Sequence, residues 1–323
     1  MEKVLITGVT GFVGSHLAEY LLTMPDVEVH GTKRWHLSRM DHVAGFADKI
    51  IWHDCNILDA TGVRRVVKEV QPDIIFHMAS ESFVSPSWDN PREYMDTNYL
   101  GTVNFLDAIR DIKPDTKFHI PGSGEEYGDI HPDELPINEF TVLRPVNPYA
   151  VTKVAQDLIG YVYFRSYGVQ VYRTRTFNHE GPRRENVFGL PSYAWQIARI
   201  EKGLQEPVVR IGDTGDKRNF THVKDIVRAY WLAVHKCEPG DLYLVGSDEE
   251  DKVYTFQEAL ERLIAMSTVK DIKWVTEPAF VRPTKVPYLI GDTEKFRQIT
   301  GWRPEIGFEQ ILSDTLNYWR ERV

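Results

Sequence analysis

The sequence predicts an α/β fold: a Rossmann-type, doubly wound parallel sheet with a smaller, mixed C-terminal substrate-binding domain. Three observations predict it. Short apolar runs alternate with helical stretches through the first half of the chain, which suits a parallel sheet covered on both faces. Gly8, Gly11 and Gly14 stand in GxxGxxG spacing between the first apolar run and the first helix, the place of a dinucleotide-binding turn. The 323 residues suffice for one large domain or two, with roughly three quarters of the unfolded surface buried.

The elements follow in order. Val4-Leu5-Ile6 reads as the first strand, and Val13, Leu17, Tyr20 and Leu21 recur at helical spacing after the glycine turn. Strands are expected at 27–31, 49–52 and 74–78, with a helix over 60–70. Further strands fall at 117–120, 170–175 and 241–245. From about residue 179 the pattern is less regular and richer in Arg, Pro and turn residues. The expected division is a dinucleotide domain over 1–178, to which 222–246 returns as a helix and a strand. The substrate domain takes 179–221 and 247–323.

Composition excludes several functions. Thirty-eight Lys and Arg against 47 Asp and Glu give a net charge of −9. Bulk nucleic-acid binding rests on an excess of Lys and Arg, so no nucleic-acid partner is expected. Only Cys55 and Cys237 occur, too few for a disulfide framework and suited to a reducing cytoplasm. The N-terminus lacks a signal-peptide pattern, and no apolar run approaches the ~18 residues that span a bilayer. The eleven histidines are scattered without HExxH or Cys/His zinc spacing, so no metal is expected. Walker A and GxSxG motifs are absent.

The glycine loop has a physical rationale. A tight turn needs a residue that tolerates positive φ, and a diphosphate must come close to backbone N–H groups that a side chain would cover. The following helix offers free donors and the positive end of its dipole. A purely structural βα turn is the alternative. The second strand ends in Gly31-Thr32-Lys33-Arg34, with Arg39 close behind. An acidic residue there would bind the ribose of NAD, whereas a guanidinium binds a 2′-phosphate bidentately. The cofactor expected is therefore NADP, although a solvated basic loop has the same composition.

Two further segments carry chemistry. Asn147-Pro148-Tyr149-Ala150-Val151-Thr152-Lys153 opens a helix, with Asn147 as N-cap and Pro148 in the first turn. Tyr149 and Lys153, four apart, share one face. An ammonium beside the phenol lowers its pKa, which suits Tyr149 to acid/base work during hydride transfer. Alone, the pair is also an ordinary helix start. Upstream, Ser123, Glu125 and Glu126 follow a strand, where ligands of doubly wound sheets sit. Ser123 can hydrogen-bond a substrate oxygen, and Glu125 or Glu126 adds a second acid/base; a polar loop is the plain alternative.

Together these residues resemble the extended short-chain dehydrogenase/reductase family over essentially the whole chain. Within it the sequence is similar to the enzymes of GDP-mannose and its 4-keto-6-deoxy product. Arg34 with Ser38-Arg39-Met40-Asp41-His42, and Asn178-His179-Glu180-Gly181-Pro182-Arg183-Arg184, resemble the 4,6-dehydratases. Ser123-Gly124-Glu125 falls on their Thr-Ser-Glu. Gly122 to Gly128, Leu143-Arg144-Pro145, and Thr174 to His179 are similar to the 4-keto-6-deoxy-mannose reductases, and Asn98 is typical of these and of the wider family. Asn56-Ile57 departs from a dehydratase Asp-Leu, and Ser192 from a dehydratase lysine near the nucleotide.

The resemblance implies a site. Ser123, Glu125, Tyr149 and Lys153 take the catalytic roles. Gly8, Thr10, Gly11, Phe12, Val13, Gly14, Lys33, Arg34, Arg39, Asn56, Ile57, Met78, Ala79, Ser80, Asn98, Tyr149 and Lys153 surround NADP. Ser82, Ser123, Glu125, Asn178, Arg184, Arg218 and Arg282 meet a nucleotide-sugar, with a GDP-sugar first, and Arg218 and Arg282 clamp its diphosphate. The basic residues suspected of meeting phosphate are Lys33, Arg34, Arg39, Arg183, Arg184, Arg218 and Arg282. The implied reaction is 4,6-dehydration of GDP-mannose, or NADPH-dependent reduction of its 4-keto product. The family pairs subunits through helices near 90–112 and 149–166, which implies a homodimer, with a homotetramer as the alternative. A non-catalytic NADP sensor would have lost the catalytic set that is present here.

Overall fold

A computed structural model describes residues 1–248 and 253–323. The chain runs β1 (Glu2–Thr7), α1 (Phe12–Leu21), β2 (Val27–Lys33), β3 (Ile51–Asp54), α2 (Ala60–Val70) and β4 (Ile74–His77). After these come α3 (Pro91–Met95), α4 (Gly101–Ile112), β5 (Lys117–Ser123), α5 (Pro148–Tyr167), β6 (Val171–Thr176) and β7 (His179–Glu180). The later part holds α6 (Gly189–Glu201), β8 (Val208–Ile211), β9 (Lys217–Asn219), β10 (Thr221–His222), α7 (Val223–Lys236) and β11 (Leu242–Val245). It ends with β12 (Val253–Thr255), α8 (Phe256–Ala265), β13 (Lys273–Thr276), β14 (Tyr288–Leu289), α9 (Glu294–Thr300) and α10 (Phe308–Arg320).

Seven strands form one parallel sheet in the order β11-β6-β5-β4-β1-β2-β3. The chain winds outward from β1 through β2 to β3, then restarts at β4 and winds the other way. This leaves a switch point between β1 and β4, where Thr7 pairs with His77 and where ligands of such sheets bind. The strands read as apolar runs because helices cover both faces. On one face α1 and α7 bury Leu17, Leu21, Ile226 and Tyr230. On the other, α2, α4 and α5 pack Val63, Val67, Phe105 and Ile109 against Phe118 and Val171. A separate core joins α6, α8 and α10 through Leu190, Ile197, Leu260, Leu263 and Leu312. β11 joins the main sheet by pairing with β6, and α7 packs on the same face as α1.

Two boundaries differ instructively from the sequence reading. The third strand starts at Ile51, opposite His30, and not at residue 49, because Ala47–Lys49 close a short turn that buries Ile50. The fifth strand continues past 120 to Ser123, which pairs with Thr176 of β6. That extension carries Ser123 to the carboxyl edge of the sheet. Cys55 and Cys237 are both free and buried. Among the described residues, no helix is long and apolar enough to cross a membrane, and no group of three His, Cys, Asp or Glu side chains could hold a metal ion.

Candidate active site

A single cleft of about 1110 Å³ runs from the glycine turn, across the ends of β4, β5 and β6, to the loops before α6 and after β8. At one end Gly8 has φ +62°, a conformation a Cβ would strain. A Cβ on Gly8 would lie 2.7 Å from Ala79 N, and one on Gly14 only 2.3 Å from Gly8 O. The glycines thus let the turn fold onto itself and leave its backbone bare. Helix α1 has Gly11 as N-cap and no side-chain cap bond, so its first N–H groups face the cleft free for an anion.

Beside this turn the basic loop divides. Arg34 lines the cleft and has no carboxylate partner among the described residues. Arg39 lines it too but is paired to Asp41 at 2.9 Å and Glu185 at 3.6 Å. Lys33 does not line the cleft: it is the last residue of β2, and its amine sits 3.9 Å from Asp54. The arrangement fits a dinucleotide with a 2′-phosphate, since bare backbone donors and an unpaired guanidinium stand where the two anionic groups would lie.

Several expected cofactor contacts are not brought to the cleft. The Asn56 side chain accepts from Leu58 N–H at 3.1 Å, and Ile57 is buried against Gly101. Ala79 spends its N–H on Thr7 Oγ1 at 3.0 Å. Asn98 is fully buried as a tie between loops. It accepts from Ser80 Oγ and Glu81 N–H, and donates to Glu81 O and Thr152 Oγ1. Thr10, Phe12, Val13, Met78, Ser80 and Ser82 do line the cleft. Arg183 is turned away to Glu19 at 2.8 Å.

The middle of the cleft is lined by Ser123, Glu125, Tyr149 and Lys153 together. Asn147 caps α5 by accepting from Ala150 N–H at 2.8 Å, and its amide donates to Glu125 Oε2 at 3.0 Å. Arg282 Nη1 lies 3.9 Å from the other Glu125 oxygen. The two glutamates therefore separate: Glu125 faces the cleft, while Glu126 is fully buried beneath it. Burial pushes the Tyr149 phenol well above its ordinary pKa, opposed by a Ser123 hydrogen bond and reinforced by Glu125 and Glu126. The Lys153 amine donates to Pro121 O at 2.6 Å and to Gln156 Oε1. Burial lowers Lys153 itself to about 8, against the opposing pull of Glu126 and Asp157.

The far end is built from paired charges. Arg218, on β9 and 3% exposed, is 3.2 Å from Asp216. Lys285 pairs with Asp213. Arg184 pairs with Glu180 at 2.9 Å, with its guanidinium over the rings of Phe12 and Phe188. Burial raises Glu180 to about 7, opposed by Arg184. Asn178 lines the same wall. Asp213, Asp216, Phe188 and Lys285 carry no local motif and were not singled out from sequence. Asn147 was visible only as a helix cap.

Comparison with known proteins places this geometry. The family model described as GDP-mannose 4,6 dehydratase matches residues 5–315. A GDP-mannose 4,6-dehydratase of Yersinia enterocolitica is 31% identical, over 97% of this chain and 92% of its own length. A GDP-6-deoxy-D-mannose reductase of Pseudomonas aeruginosa is also 31% identical, over 100% and 98%. The solved structure of RMD from Pseudomonas aeruginosa complexed with NADPH superposes with a TM-score of 0.85 at 28% identity, covering all of both chains. With a parallel seven-stranded sheet, a glycine turn at its switch point and matches of this length, the chain belongs to the GDP-mannose 4,6-dehydratase family of short-chain dehydrogenase/reductase enzymes.

Proposed function

We propose that the protein is an NADP-dependent nucleotide-sugar 4,6-dehydratase, a lyase that converts GDP-mannose to GDP-4-keto-6-deoxy-mannose. The observation that carries this reading is Glu125: a carboxylate fastened by Asn147, on the same cleft wall as Tyr149 and Ser123. Bound dinucleotide supplies a hydride acceptor early in the cycle and a donor at its end, so the reaction is redox-neutral. The glycine turn and α1 would hold its diphosphate, Arg34 with Arg39 its 2′-phosphate, and Lys153 its ribose. Arg218 and Arg282 take the diphosphate of the sugar nucleotide, and Ser82, Asn178 and Arg184 complete the wall.

Ser123 and Tyr149 flank the O4 hydroxyl, and Tyr149 removes its proton as C4 is oxidised. The raised pKa of the free phenol favours a group that holds its proton until substrate and a cationic ring share the cleft. The new ketone acidifies the C5 hydrogen. Glu125 takes that proton and delivers one to the C6 hydroxyl, which leaves as water. Reduction at C6, and transfer to C5 of the proton that Tyr149 took from O4, complete the product.

The second reading is reduction of the 4-keto sugar. It is favoured by the equal identity to the Pseudomonas aeruginosa reductase. In it Tyr149 protonates O4 as external NADPH is consumed, and Glu125 is idle. Incubation with GDP-mannose and substoichiometric NADP⁺ separates the two. A 4-keto product without net cofactor change supports dehydration, and Glu125→Gln then slows it by about 10²–10⁴-fold. No reaction with GDP-mannose, but NADPH oxidation with the 4-keto sugar, establishes the reductase instead. The chain divides, in this reading, into a dinucleotide domain (1–178 with 222–246) and a substrate domain (179–221 and 247–323). Subunits pair in the cytoplasm through the helical segments near 90–112 and 149–166, and α5 in the second exposes Val151, Leu158, Tyr161 and Val162.

A further inference from the structure

We propose that Glu126 is a positioning residue for this chemistry: its buried carboxylate fastens the main chain of Ser123 and places a negative charge beneath the strand end to which the Lys153 amine is bound. The proposal rests on the functional reading above. Glu126 has no exposed surface. Its Oε1 accepts from Ser123 N–H at 2.7 Å, while Ser123 Oγ accepts from Glu125 N–H, a reciprocal cap that fixes the turn carrying Glu125. Its Oε2 lies 2.8 Å from Arg175 Nε. Arg175 also reaches Asp157 at 2.5 Å and the Tyr127 hydroxyl at 3.1 Å, and Asp157 accepts from Arg173.

The placement is specific. Glu126 Oε1 passes under Gly122, where a Cβ would stand 2.5 Å from it and 2.7 Å from Thr174 O. Gly122 therefore leaves the path open. Lys153 binds Pro121 O, one residue earlier on the same strand. The carboxylate and the amine thus bind the peptide groups on either side of Gly122 at the end of β5. Without a nearby carboxylate, a buried amine sheds its proton.

Every element packed against Lys153 bears on its charge. From α5 come Asp157 and Tyr149, and Gln156 accepts from its amine. From β4 and β5 come His77 and His119, both fully buried and pushed down to about 3 by burial, hence neutral. From β6 come Arg173 and Arg175, whose positive charges are tied to Asp157 and Glu126. Glu125 and Tyr127 stand on the turn after β5, and Tyr230 of α7 closes the back. Glu126 and Asp157 pull Lys153 toward its protonated form, while burial and Asp157 raise Glu126 itself to about 7 and Arg175, the Ser123 N–H and Lys153 hold it toward the carboxylate.

The test is a direct titration of the Lys153 ammonium by NMR in full-length, ¹⁵N-lysine-labelled protein, paired with kcat against pH. Glu126→Gln keeps an acceptor for Ser123 N–H and removes the charge. Its Lys153 midpoint should fall by about one unit, a tenfold loss of proton affinity. The alkaline limb of kcat should move down with it, so that kcat at pH 8 drops about fivefold while KM changes less than threefold. Glu126→Asp keeps the charge and withdraws it by one methylene, so it gives a smaller shift in the same direction and a variant that tolerates the buried arginine. Equal Lys153 midpoints in wild type and variants overturn the proposal. So does a shifted midpoint with an unchanged kcat profile. The titration needs no substrate: a shifted midpoint in a protein inert to both GDP-mannose and the 4-keto sugar sinks the functional reading and leaves the electrostatic role of Glu126 standing.

Discussion

The two ends of the cleft are made of different material. The glycine end is mostly backbone: a self-contacting turn and an uncapped helix start, beside Arg34, which is unpaired among the described residues. The far end is side chain: Arg218, Lys285, Arg184 and Arg282 are each already engaged by a carboxylate. Backbone donors cannot turn away, so the first end is ready for its ligand and intolerant of added atoms. The second end must exchange partners when a diphosphate arrives, so it tolerates substitution in proportion to the charge lost.

The sharpest way to break this contrast is Gly14→Ala. The new methyl meets Gly8 O and Val9 Cα, neither of which can swing aside. At the upper end of overpacking costs, about 3 kcal/mol, dinucleotide affinity falls about 100-fold. Fluorescence titration with NADPH measures it, and an unchanged affinity would show that the turn is not the dinucleotide's seat. Next in size, Arg218→Leu removes one charge-assisted contact and leaves Asp216 without its partner. The KM for the sugar nucleotide should rise about 10–100-fold, with NADPH affinity unmoved. If NADPH affinity falls instead, the two ends have been assigned the wrong way round.

Asn147→Ser tests the junction between them. Serine still caps α5, but the amide that holds Glu125 is gone. The loss of one hydrogen bond to a charged group predicts a drop of roughly tenfold in kcat, with thermal stability little changed; a stability loss without a kcat loss would reduce Asn147 to a cap.

The smallest expected effect concerns the rigid end. Burial depresses His77, beside Thr7 at the glycine turn, to about 3. The folded form resists protonation, so its stability is intact above the unfolded pKa of about 6.5 and is lost as pH falls from there toward 3. Between pH 6.5 and 5.5 this one histidine costs about 1 kcal/mol. Urea unfolding at the two pH values should show a difference smaller by that amount in His77→Phe than in wild type.

The same contrast explains what could be read from the sequence. Local rules governed the strand, turn and helix at 4–21, and Val63, Val66, Val67 and Val70 announced α2 by spacing alone. The Asn147 cap and the Tyr149/Lys153 face were equally local. Nothing local told Glu125 from Glu126: their fates divide because Arg175, 49 residues further on, captures the second. Lys33 and Arg34 are adjacent and alike in charge, yet the strand runs two residues longer than its apolar pattern, to Lys33, and takes that lysine away from the cleft. Asp213, Asp216 and Lys285 meet only through tertiary folding of loops, so no periodicity marks them.

The paired charges of the cleft also bear on how fast a ligand arrives. Its wall carries eight Lys and Arg against six Asp and Glu, in a chain whose net charge is −9. Seen from beyond a Debye length of about 8 Å, such a wall is nearly neutral and exerts little pull on a polyanion. Capture of the sugar nucleotide is then a matter of collision and local exchange. The association rate should be almost indifferent to ionic strength, and discrimination should lie in how slowly the correct diphosphate leaves.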